Sequence, residues 1–130
     1  GAGARATVET PYIVTGLSTQ IDEDTGCVIN PKTAFSGEVP RIYVTFAAYN
    51  LKQGTPLRAD WYRDIDQVAS GNWTVDTDYD ELCIWFYIQQ PQDVAFTPGE
   101  WSVRLFADNQ QIGNTLPFTF EALPADTMDG

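Results

Sequence analysis

Two cysteines, two runs of carboxylates and a dense set of aromatic side chains carry whatever chemistry this 130-residue chain can do. Histidine is absent, which removes Ser-His and Cys-His nucleophilic catalysis and any histidine-ligated zinc. Ser18, Ser36, Ser70 and Ser102 stand without a base and outside a G-x-S-x-G context. Cys27 and Cys83 have no neighbouring His or Lys in the sequence, so a catalytic thiolate of low pKa is not expected. Two cysteines allow one disulfide or two buried thiols. The disulfide is preferred, and it implies an oxidising compartment, extracellular or at the cell surface.

The carboxylates fall into two clusters, Asp22-Glu23-Asp24 and Asp76, Asp78, Asp80 with Glu81. Alternating Asp76, Asp78 and Asp80 suit a calcium loop, because calcium takes six to eight oxygens. The EF-hand pattern fails, with Glu81 where glycine belongs and Tyr87 where the bidentate glutamate belongs. A solvated acidic loop is therefore preferred to a metal site. Glycoside hydrolysis needs two carboxylates across a cleft, and these acids fall mainly at strand ends and turns. Asp60, Asp64 and Asp66 read as hairpin-surface and turn residues. No enzyme activity and no cofactor are expected. Seven Lys and Arg against 18 Asp and Glu leave a net charge of −11, which disfavours nucleic acid and anionic membrane as partners. Asn72-Trp73-Thr74 matches the N-glycosylation acceptor pattern, relevant only in a eukaryotic secretory route.

The elements that must position these residues read as strands. Helical periodicity is absent, and period-two alternation recurs. Tyr12 to Asp22 places Ile13, Leu17 and Ile21 on one face, and Arg41 to Tyr49 places Ile42, Val44, Phe46 and Ala48 on one face. Leu57, Ala59 and Trp61 point inward from Leu57 to Arg63, with Arg58, Asp60 and Tyr62 outward. Val68 to Val75 is weaker and broken at Gly71, and Leu82 to Gln89 is apolar on both faces. Trp101, Val103, Leu105 and Ala107 share a face, as do Ile112, Leu116, Phe118 and Phe120, with Pro117 indicating an edge. Asn50 to Gly54, Pro98-Gly99 and Asp108-Asn109 supply turn chemistry. Residues 1–10 read as a linker or remnant, 11–122 as one domain and 123–130 as an acidic tail. The longest uncharged apolar stretch, Leu82 to Ile88, is of strand length, so no membrane insertion by this segment is expected. The fold class is all-β, an antiparallel two-sheet sandwich of about seven strands.

Trp61 falls where immunoglobulin-like domains carry the core tryptophan of their third strand. Pro98-Gly-Glu-Trp-Ser-Val-Arg-Leu-Phe106, then Asp108-Asn109, Ile112 and Phe118-Thr-Phe120, resembles the final hairpin of bacterial immunoglobulin-like and fibronectin-III-like domains. There are two departures. Trp101 replaces the corner tyrosine, removing its hydroxyl hydrogen bond, and the cysteines do not suit the usual inter-sheet disulfide. Both point away from an antibody-type domain. The resemblance implies a bacterial module acting as a spacer, adhesion or carbohydrate-associated domain of an exported protein.

One surface stands out. The second face of Leu82 to Gln89 carries Cys83, Trp85 and Tyr87, beside Tyr43, Thr45 and Tyr49 of the second strand. A sandwich core needs one apolar face per strand, so these residues are surplus to it. The preferred reading is that the segment from Glu23 to Pro40 folds across them with Val28, Ile29 and Phe35, pinned by Cys27–Cys83. The competing reading leaves Tyr43, Tyr49, Trp85 and Tyr87 partly exposed for a protein interface or sugar stacking. The expected function is a non-enzymatic extracellular module, spacer or protein-interaction domain of a larger surface protein. The alternative is a carbohydrate-binding module using Trp85, Tyr87, Tyr43 and Trp73.

Overall fold

The computed structural model describes residues 12–122, so the segments 1–10 and 123–130, read as linker and tail, lie outside the described residues. Ten strands follow in order: β1 Tyr12–Ser18, β2 Gln20–Ile21, β3 Val28–Ile29, β4 Ala34–Ser36, β5 Arg41–Leu51, β6 Pro56–Arg63, β7 Asp66–Thr74, β8 Tyr79–Gln89, β9 Gly99–Ala107 and β10 Gln110–Glu121. The seven alternating segments of the sequence are the seven long strands. Of the three short ones, β2 falls at the end of the first alternating segment, and β3 and β4 fall between Glu23 and Pro40.

Strands β1-β5-β8 form one sheet, β4-β10-β9-β6-β7 a second, and β2-β3 a small ladder. All pairings are antiparallel except β4 with β10, which runs parallel over Thr119–Glu121. Between the two large sheets lies one apolar core. Ile42, Val44, Phe46 and Ala48 enter it from β5, Leu57, Ala59 and Trp61 from β6, and Trp101, Val103 and Leu105 from β9, all nearly inaccessible. The inward register read from alternation is correct for these strands, and Trp61 and Trp101 sit on adjacent strands of one sheet.

Strand β1 departs from its expected pattern. A bulge between Val14 and Gly16 inserts one extra residue, and Gly16 adopts φ +127°. The insertion reverses the alternation. Val14 and Leu17 therefore pair with the inward residues Phe46 and Val44, while Ile13 is 54% exposed. A second correction concerns Asp60. It points outward yet is only 6% exposed, because Arg58 Nε donates to both its oxygens at 3.1 Å and Ser70 Oγ donates at 2.8 Å. Arg58 in turn lies 4.1 Å from the Phe106 ring centroid, and Arg104 lies 4.6 Å from that of Tyr62. This outer face satisfies its own polar groups.

The Asp108-Asn109 turn has φ of 53° and 65°, the left-handed pair that a two-residue hairpin demands. At the far end, the Gln90 side chain donates to the carbonyls of Gly37 and Val39 and accepts from Phe96 N–H. That clip closes the bottom of the core over the stacked rings of Phe96 and Phe120, 4.5 Å apart.

Candidate functional site

The disulfide joins Cys27 to Cys83 with Cα atoms 5.1 Å apart. Cys83 lies on the outward face of β8, and Cys27 closes a turn that begins at Asp22. Asp22 Oδ1 accepts the N–H groups of Asp24 and Thr25, and its backbone carbonyl accepts that of Gly26. The first acidic cluster therefore shapes a turn. Gly26, at φ +78°, is buried under Trp85: a Cβ there would lie 3.0 Å from Trp85 Cδ1 and 3.1 Å from Nε1. Only glycine lets the turn approach the indole so closely.

Coverage stops at that edge. Phe35, expected on this face, lies in β4, 1% exposed, edge-on to Phe118 in the main core. The parallel pairing of β4 with β10 carries it there, since Phe35 stands beside Phe120. Val28 and Ile29 are half-buried in the ladder with Gln20–Ile21, which Ser18 Oγ fastens through the Ile29 carbonyl. Trp85 and Tyr87 remain 42% and 37% exposed.

The antiparallel register of β5 and β8 sets Tyr43 opposite Tyr87 and Thr45 opposite Trp85. Three of the four aromatics named from the sequence therefore meet: Tyr43 is edge-on to Trp85 at 6.0 Å and to Tyr87 at 5.8 Å, and Trp85 and Tyr87 lie 21° from parallel. Tyr49 is four residue pairs beyond Trp85, opposite Glu81, and does not join them. Arg41 does, and sequence reasoning missed it. Its guanidinium sits 4.3 Å from the Tyr87 centroid and donates to Tyr43 Oη at 3.2 Å and to Gln89 Oε1 at 2.8 Å. The hydrogen bond to Tyr43 holds the Arg41 pKa above its ordinary value. Its parity with Tyr43 along β5 was the available signal. The register puts Arg41 on the Gln89 side of Tyr87 and Trp85 on the other, so that ring has the guanidinium and the indole as neighbours.

Beside this strip, a groove of about 490 Å³ opens between β7 and β8. Trp73, Tyr79, Leu82 and Phe86 contribute to its lining, together with Trp85 and Tyr87. Trp73 therefore borders the groove rather than extending the aromatic strip.

The second acidic cluster borders the same strand. Asp76 Oδ1 accepts from Tyr79 Oη at 2.8 Å, which pushes the phenol pKa up, and Asp78 Oδ1 accepts from Gln53 N–H at 2.8 Å. Two of the three candidate calcium ligands are thus hydrogen-bonded within the protein, Asp76 to Tyr79 and Asp78 to the β5–β6 loop. Among the described residues, no group of three or more His, Cys, Asp or Glu side chains converges as a metal site. The half-buried disulfide suits an oxidising environment, and among the described residues no helix is long and apolar enough to cross a membrane. No protein-family model matches the chain, and no curated protein matches it.

Proposed function

We propose that the chain is a non-enzymatic, immunoglobulin-like or fibronectin-III-like interaction module of an exported surface protein, docking another polypeptide through the strip of Arg41, Tyr43, Trp85 and Tyr87. The observation that carries this reading is the exposure of Trp85 and Tyr87, 42% and 37%, on a flat sheet face held by a disulfide. Large aromatics at fixed positions, with a polar or cationic neighbour, are what protein interfaces use as anchors.

The family reading draws support from topology. The first, second and fifth long strands share one sheet, and the fourth, third, sixth and seventh lie in order in the other. Trp61 occupies the third long strand, buried against Phe118. Trp101 Nε1–H donates to the Thr97 carbonyl at 2.9 Å, four residues upstream. An indole N–H thereby makes the kind of backbone bond that a corner tyrosine makes in that fold.

Sugar stacking, the second reading from sequence, fits less well. A pyranose needs an open aromatic face, and Tyr87 already carries the Arg41 guanidinium 4.3 Å over its ring, with Trp85 near-parallel beside it. The test is a photo-crosslinking phenylalanine analogue in place of Tyr87, in the full-length protein on its own cell surface. A discrete polypeptide adduct, lost in Trp85→Ala, is expected. Fluorescence shifts on a glycan panel with no polypeptide adduct would replace this reading with the carbohydrate one, and neither signal would leave a spacer.

A further inference from the structure

Edge strands expose unpaired backbone donors and acceptors, and folded proteins blunt them with short length, bulges, proline or charge. Three of the four edges of the two large sheets are blunted in this way. Strand β1 carries the Gly16 bulge, β4 is three residues long, and β7 carries a bulge at Val68 and a glycine, Gly71, within its span. Strand β8 is different. It runs eleven residues with unbroken register against β5, and among the described residues its other side pairs with nothing. From Leu82 to Ile88 it contains no charge, no proline and no glycine. The disulfide turn reaches its backbone at Cys83, where a Cβ on Gly26 would lie 3.2 Å from the carbonyl oxygen, and its side chains at Trp85. The backbone from Ile84 to Ile88 lies beyond that contact, beside the groove described above, and at Gln89 the edge is capped by its own chain, the N–H donating to Asp93 Oδ2 at 2.9 Å.

We infer that this edge accepts an extended segment of a partner polypeptide as an added β-strand, with apolar residues at alternate positions and basic residues between them. The inference rests on the reading of the β8 side as a protein-interaction surface and specifies what docks there. The backbone edge selects a polypeptide, since main-chain hydrogen bonds supply affinity in strand addition while alternate side chains supply specificity. One face of the incoming strand would enter the apolar groove toward Trp73, Leu82 and Phe86. The other would lie beside Trp85, where a lysine or arginine finds the indole and the acidic turn of Asp22, Glu23 and Asp24 that lines the same surface, with Glu81 further along that face of β8. Residues 64–88, which flank the groove, contain no Lys or Arg, and Arg41 lies at the Tyr87 end of the strip, bonded to Tyr43 and Gln89. A net charge of −11 per chain disfavours a second copy as the occupant.

The test uses the full 130-residue chain and a short synthetic peptide alternating Lys and Val, read by titration calorimetry and by amide hydrogen exchange. Binding with new protection of every second amide between Ile84 and Ile88 is expected. N-methylation of alternate peptide nitrogens, which deletes edge donors while keeping the side chains, should weaken it about tenfold or more. The Glu-Val peptide should not bind, and Glu23→Gln with Glu81→Gln should weaken Lys-Val binding several-fold and flatten its salt dependence. No binding at about 1 mM peptide, or binding indifferent to N-methylation, overturns strand addition. Protection of the same amides without peptide, with dimers in sedimentation, overturns the foreign-partner assignment in favour of a second copy. The outcomes also separate this inference from the reading beneath it. Trp85→Ala that abolishes the cellular crosslink while peptide leaves β8 amides unprotected keeps the aromatic interface and removes the added strand. Protected amides with no crosslink at position 87 do the reverse.

Discussion

Trp61 and Trp101 show how differently two buried indoles hold a fold. Trp61 is 1% exposed, packed edge-on to Phe118, and it contributes volume. Replacing it with Ala should cost about 3–5 kcal/mol in a denaturant titration, and a loss near zero would show that the inward register of β6 is wrong. Trp101 contributes volume and a donor, its N–H bonded to Thr97. Trp101→Phe keeps a ring and deletes the donor, leaving a carbonyl without it. A loss of about 1–3 kcal/mol is expected there, smaller than for truncation to Ala. If the phenylalanine variant matches wild type, the bond contributes nothing and the tryptophan is present for its ring alone. The aromatic strip is also partly legible at this scale. Tyr43, Trp85 and Tyr87 share parity on two neighbouring segments, so the sequence already places them together. Arg41 shares that parity too, but an arginine at a strand end reads as a solvated charge until the register shows it over Tyr87.

Among the elements, β1 and the disulfide turn are where alternation fails to decide the outcome. A one-residue bulge moves a strand's whole hydrophobic set from one face to the other, and this one does so at Gly16. Its φ of +127° is accessible to glycine, and a Cβ would meet that of Pro31 at 3.0 Å. Gly16→Ala should therefore destabilise by about 1–3 kcal/mol, measured by thermal or urea unfolding. An unchanged midpoint would mean that β1 can drop the bulge. The disulfide closes a separation of 56 residues, for which the chain-entropy account gives about 4 kcal/mol at most. The double variant Cys27→Ser, Cys83→Ser should lose roughly 2–4 kcal/mol. Its released turn should also leave the indole of Trp85 more open to acrylamide quenching, followed with the other three tryptophans replaced by phenylalanine. Equal quenching with and without the bond would show that Gly26 stays over the indole unaided.

For the whole molecule, charge governs behaviour more than shape does. With a pI near 4.1 and a net charge of −11 at neutral pH, copies repel one another, and that repulsion fades as carboxylates protonate. A solubility minimum close to pH 4 follows, visible as a turbidity maximum in a pH series. A minimum near neutrality would indicate a self-association that overrides charge. Composition and alternation alone determined the all-β class, the seven long strands and the inward faces of β5, β6 and β9, because a period of two admits one buried side per strand. They also made Cys27–Cys83 the preferred pair, since two cysteines allow only one bond. Tertiary structure decided the rest. Phe35 was free by sequence to cover the aromatic face, but the parallel pairing of β4 with β10 draws it into the main core. Whether Trp85 is covered depended on how far a turn pinned at Cys83 can reach, and it reaches only the near edge of the indole. The open side of β8 could not be read from its own residues either. A strand with two apolar faces reads as fully covered, and only sheet order shows that its neighbour on that side is missing.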